Sequence, residues 1–124
     1  MNRERQTVKK LFDKLCKQEK QPFPKKRQPL DAPLKAGVYI IRKNKTILHV
    51  GRTHRGRNGI HQRLANHLHG SSSFTKNYLH GNGATLRKKG YTYQYLELED
   101  SRKRALLEHY AIGTLCPRHL GTGK

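Results

Sequence analysis

Two short triplets, Gly37-Val38-Tyr39 and His49-Val50-Gly51, each set a polar ring beside a glycine, and farther along come Arg63, His67 and Glu108. Each of these types suits one part of phosphodiester hydrolysis. That reaction needs an aligned water, relief of charge on the pentavalent phosphorane and a stabilised leaving oxygen. A phenol among many cations should ionise below its usual ~10, so Tyr39 is a candidate to take the proton of the water. His49, a ring that ordinarily titrates near neutrality, is the alternative base, and His49 and His67 would orient Tyr39 or share its proton. The planar donor fork of Arg63 fits non-bridging phosphate oxygens better than a lysine would. Glu108 is the one acid from Ser101 to the C-terminus, and a solitary carboxylate is enough to hold a cation that keeps most of its waters. Taken singly, these residues have plainer uses: a hydrogen-bonded pair in a hairpin, phosphate positioning, or a carboxylate that satisfies an arginine.

The surroundings set the charge of the partner. The chain has 124 residues with 27 Lys and Arg against 8 Asp and Glu, a net charge of +19, and no acid between positions 32 and 96. Self-repulsion of that size is relieved by a polyanion, so nucleic acid is the expected partner, DNA first and RNA also open. Arg52, Arg55 and Arg57, in a glycine-broken loop, and Lys76 beyond it are the expected phosphate contacts. Composition alone favours a non-catalytic nucleic-acid-binding module, or a basic ribosome-associated protein, over an enzyme. Cys16 and Cys116 are too few for a zinc site, which points to reduced thiols and a cytoplasmic protein. No apolar run reaches the ~20 residues of a membrane helix.

The elements that must position these residues can be read from periodicity. Gly37 to Gly51 reads as a β-hairpin turning at Asn44-Lys45. Ile60, Leu64 and Leu68 predict a helix from about Gly59 to His69, with Arg63 and His67 sharing a neighbouring face. Ser71-Ser72-Ser73 caps a short helix, Gly81-Asn82-Gly83 stops it, and a weaker helical segment covers 84–89. Tyr91, Tyr93 and Tyr95 alternate as a third strand. Asp100 or Ser101 caps a last helix whose buried stripe is Leu107, Tyr110, Ala111 and Leu115, with Pro117 ending it. At the N-terminus, Val8, Leu11, Phe12 and Leu15 mark an amphipathic helix whose stripe docks on the core or on a second subunit, so monomer and homodimer both stay open. Four of the five prolines fall between Pro22 and Pro33, in an extended, lysine-rich strap. The expected fold is therefore α+β, a three-stranded antiparallel sheet flanked by helices, with 1–36 as an accessory helix and strap and 37–124 as the main domain.

Taken in order, the triplets, Arg63-x-x-x-His67 and Glu108 resemble the catalytic domain of GIY-YIG nucleases, over about 37–117. The resemblance implies an endonuclease that hydrolyses DNA with Mg²⁺, or Mn²⁺ in its place, held by Glu108, with Tyr39, His49, Arg63 and His67 around the scissile bond. The second triplet begins with His49 where the family usually has tyrosine. Near Pro117-Arg118-His119-Leu120 the family often carries an asparagine, for which His119 is the available substitute.

Overall fold

The computed structural model describes residues 2–54 and 58–121. Helix α1 (Arg3–Cys16) is capped by Asn2, whose side chain accepts the Glu4 and Arg5 backbone N–H groups. Strand β1 (Gln21–Pro22) follows, then the hairpin β2 (Gly37–Lys43) and β3 (Thr46–Arg52). Helices α2 (Gly59–His69) and α3 (Ser73–Tyr78) lead through a 3₁₀ turn (Gly83–Arg87) to β4 (Tyr91–Glu97) and α4 (Ser101–Leu115). The sheet is antiparallel, in the order β1-β4-β2-β3. The sequence pattern predicts three of these strands. The fourth, β1, is a two-residue edge formed by the strap itself, Gln21 facing Tyr93 and Pro22 facing Thr92. A proline without an N–H is tolerated there because one side of an edge strand has no ladder to complete.

Alternation along β2 divides the core into two layers. Tyr39 and Ile41 point to the side of Ile60, Leu64, Leu68 and Phe74 from α2 and α3. Val38 and Ile40 point to the side of Leu15 from α1 and Leu107 and Ala111 from α4. Helix α1 thus packs as part of the domain. Buried Gln94 on β4 fastens it there, donating to the Cys16 and Gln18 carbonyls while accepting from Arg42 Nε at 2.8 Å. Tyr110, expected in the buried stripe of α4, is instead 37% exposed and meets Phe12 edge-on, because α1 covers only the inner side of α4. Among the described residues, no helix is long and apolar enough to cross a membrane.

Two features of β3 decide where a site can form. Between Ile41 and Arg42 the pairing with β3 slips, so His49 faces Ile41 while Ile47 faces Arg42. This bulge sends the neighbours Leu48 and His49 to the same layer, Leu48 into the Tyr39 core and His49 stacked on Phe74. In addition, β3 is an edge strand. The segment after α4 covers half of that edge, with Arg118 and His119 N–H groups donating to the Ile47 and Leu48 carbonyls. Beyond it the two helical layers meet around Val50, Gly51 and Arg52.

Candidate active site

A cavity of about 610 Å³ opens at this edge, lined by β3 from His49 to Arg52, by Arg63 and His67 of α2, and by Glu108 of α4. Glu108 follows buried Leu107, so packing of Leu107 on one face of the sheet swings the carboxylate around the edge toward the other layer. Tyr39 lies fully buried beside the cavity, with Arg63 and Glu108 as its charged neighbours. Tyr39, His49, Arg63, His67 and Glu108 are therefore brought together from four elements. Arg52 lines the same cavity, whereas Lys76 is exposed on α3 outside it. Arg55 and Arg57 lie outside the described residues.

The glycines of the triplets serve the packing. Tyr39 and Gly51 are cross-strand partners, and a Cβ on Gly51 would overlap the Tyr39 ring and hydroxyl. One on Gly37 would strike the Leu96 carbonyl of β4. The sequence suggests close approach of substrate at these glycines; the space beside Gly51 is instead filled by the tyrosine itself.

One assignment of protons satisfies the polar chain behind Tyr39. Thr75 Oγ1 donates to the His67 carbonyl, and Ser72 Oγ donates to Thr75 Oγ1 at 3.2 Å. In that assignment Ser72 accepts from His67 Nδ1, 2.6 Å away. His67 then carries its proton on Nδ1, and Nε2 accepts the Tyr39 hydroxyl at 2.7 Å. The ring that orients Tyr39 is thus His67. His49 sits 6.1 Å from Tyr39, centroid to centroid, and hydrogen-bonds His119 instead, Nδ1 to Nδ1 at 3.1 Å.

Burial governs the protonation of these groups. It pushes the Tyr39 phenol up to about 12, with Arg63 opposing, so the expected low phenol is not found: the cations that would lower it are outweighed by loss of water. Burial also pushes His49 down to about 3, reinforced by His119 and Arg63, which removes it as a base titrating near neutrality. His67 is held well below its ordinary value, first by burial and then by His49 and Arg63.

Two buried donors, Arg52 Nη1 and Arg63 Nε, have no hydrogen-bond acceptor among the described residues. Arg52 Nη1 stands 3.6 Å from Glu108 Oε1, an ion pair too long for a hydrogen bond. Arg52 from β3 and Arg63 from α2 both line the cavity, and their guanidinium groups are donors of the kind that suits an oxygen-rich anion. Among the described residues, no three His, Cys, Asp or Glu side chains converge as a metal cage. Glu108 alone lining an open cavity fits a hard cation that retains waters and takes its remaining oxygens from a phosphate.

Sequence reasoning passes over Ser72 and Thr75 as relay partners, and over Arg104 altogether. Ser72 reads only as a helix cap, which it also is, accepting the Thr75 N–H at 3.1 Å. Arg104 is buried and donates to the carbonyls of Thr53, His54, Leu98 and Glu99, clamping the end of β3 to the start of α4. Its position four residues before Glu108, on the same helical face, is the one signal that could have pointed to it.

No protein-family model, no curated protein and no solved structure matches this chain.

Proposed function

We propose that the protein is a divalent-metal-dependent endonuclease that hydrolyses phosphodiester bonds of DNA, as its resemblance to GIY-YIG nucleases implies, in the cytoplasm. The observation that carries this reading is the convergence of two arginines and a carboxylate on one cavity, beside a hydrogen-bonded tyrosine–histidine pair.

Each group then has a task its surroundings suit. Arg63 and Arg52, which line the cavity from two elements, donate to non-bridging oxygens. Tyr39 works as a relay. Once the fully buried hydroxyl is opened to the attacking water, its oxygen takes the water's proton while its own proton passes to His67 Nε2, so a phenol near 12 never has to exist as free phenolate. His67 ends the relay as an imidazolium beside a more negative phosphorane, which offsets the cost of charging a buried ring. Glu108 would hold Mg²⁺ or Mn²⁺, which when bound supplies Lewis-acid relief of charge at the phosphate and the leaving oxygen. The water oxygen bonds to phosphorus as the bond to the leaving oxygen breaks, without a covalent protein intermediate.

A non-catalytic nucleic-acid-binding module is the second reading, favoured by the Arg52–Glu108 pair, which neutralises the only carboxylate that lines the cavity among the described residues. Incubation with supercoiled, linear, branched and single-stranded DNA, and with RNA, separates the two. Nicking with Mg²⁺ or Mn²⁺ that stops with chelator is expected, with loss of ~10²-fold or more in Arg63→Ala and Glu108→Gln while binding persists. Binding without cutting on every substrate would select the second reading, and cutting by pure Glu108→Gln would remove the metal assignment.

A further inference from the structure

At the opposite edge of the sheet lies a groove of about 640 Å³ that the candidate site does not use. Its walls are the strap around β1 on one side and the 3₁₀ turn with β4 on the other. The fold there brings together two basic runs that are far apart in the chain. Lys25 lines the groove from the strap, followed by Lys26 and Arg27 in an exposed turn, and Arg87, Lys88 and Lys89 line it from the other wall.

The arrangement is built. Arg87 Nη1 donates to the carbonyls of Pro24 at 2.7 Å and Lys25 at 3.2 Å, tying one wall to the other. At the far end of the strap, Tyr93 Oη donates to the Asp31 carbonyl at 2.6 Å. Phe23, buried edge-on against Tyr93, anchors the start of the strap. Pinned at both ends, the strap holds Lys25 to Pro29 outward, with Arg27 at φ +71° in the turn closed by Gln28 N–H on the Lys25 carbonyl. Four cations line the groove, with Lys26 and Arg27 next to Lys25 in the chain, and among the described residues only Glu19 and Asp31 oppose them in its lining. Such crowding raises the energy of the free protein, and a polyanion is the ligand class that lowers it.

We propose that this groove is a second nucleic-acid contact, which takes the phosphodiester backbone of a segment other than the one in the cavity. Ammonium groups on exposed lysines bind phosphate as point charges, so the contact is independent of base sequence. With the cavity at the β3 edge and the groove at the β1 edge, the protein holds nucleic acid on both flanks of its sheet. The inference needs nucleic acid as partner but not hydrolysis, so it survives or fails apart from the proposed activity.

The test compares Lys25→Ala/Lys88→Ala/Lys89→Ala with a control of equal charge loss on exposed α1 positions, Lys9→Ala/Lys10→Ala/Lys14→Ala. Binding of the full chain to a long DNA duplex and to single-stranded DNA and RNA is measured against salt, with chelator present to prevent cutting. Loss of three phosphate contacts should reduce the slope of log K against log salt by roughly 2 to 3 in the groove variant, against less than about 1 in the control. Its footprint should also shorten on at least one of these nucleic acids. Equal slopes in the two variants, or an unchanged slope and footprint, would overturn the proposal. So would loss of binding to anionic vesicles with nucleic-acid binding intact, which would assign the groove to a membrane surface.

Discussion

Acidification from pH 7 to pH 5 should destabilise this protein by an amount that two rings dictate. His49 and His67 are buried and held neutral, His49 at about 3 and His67 well below the ordinary value, mainly because burial strips water from the charged form. In the unfolded chain both protonate near the reference ~6.5, so below that pH the unfolded state binds more protons and stability falls with pH. The loss begins at the unfolded value and continues down toward the folded one. For His49 the linkage between pH 7 and pH 5 amounts to about 2 kcal/mol, and His67 adds to it in the same direction. Set against the ~5–15 kcal/mol of a typical domain, that is a large share of the total. His119 and His54, also lowered chiefly by burial, act in the same direction. Urea denaturation at pH 7, 6 and 5 reads the slope directly, and Asn in place of His49 should remove its share of about 2 kcal/mol. Stability that is flat or rises on acidification would refute the burial argument for both rings.

Gly51→Ala should destabilise the fold by about 1–3 kcal/mol, because the new methyl overlaps a Tyr39 ring that is fully buried and tied to His67. Denaturation of the purified variant checks this, and an alanine tolerated without loss would mean that Tyr39 is free to move. Arg52→Gln removes the cation 3.6 Å from Glu108, so on the proposed metal reading Mn²⁺ should bind the nucleic-acid-free variant about tenfold more tightly than the parent chain. Titration followed by electron paramagnetic resonance measures that ratio, and equal affinities would show that the ion pair does not compete for the carboxylate.

Much of the scaffold is legible residue by residue. The apolar repeat of Ile60, Leu64 and Leu68 places α2 at Gly59–His69, Ser72 and Asp100 cap α3 and α4, and the tyrosine alternation finds β4. These signals work because side-chain period and capping act over a few residues. The same locality explains Tyr110, where helical spacing marks the stripe but not how far a neighbouring helix reaches across it. Likewise β1 has no periodicity to read at two residues, and its pairing with β4 depends on where the strap is pinned.

From the sequence alone came the chemical inventory: a large positive charge that calls for a polyanion, and a phenol, guanidinium, imidazoles and solitary carboxylate carried on named elements. Tertiary structure decided what state those groups are in and which of them meet. Edge position and a bulge in β3 let α2 and α4 share one cavity, burial drove the phenol up and the imidazoles down, and His67 was set between the Tyr39 and Ser72 hydroxyls. Charge and residue type belong to the chain as written, whereas desolvation and hydrogen-bond direction depend on neighbours that only folding supplies.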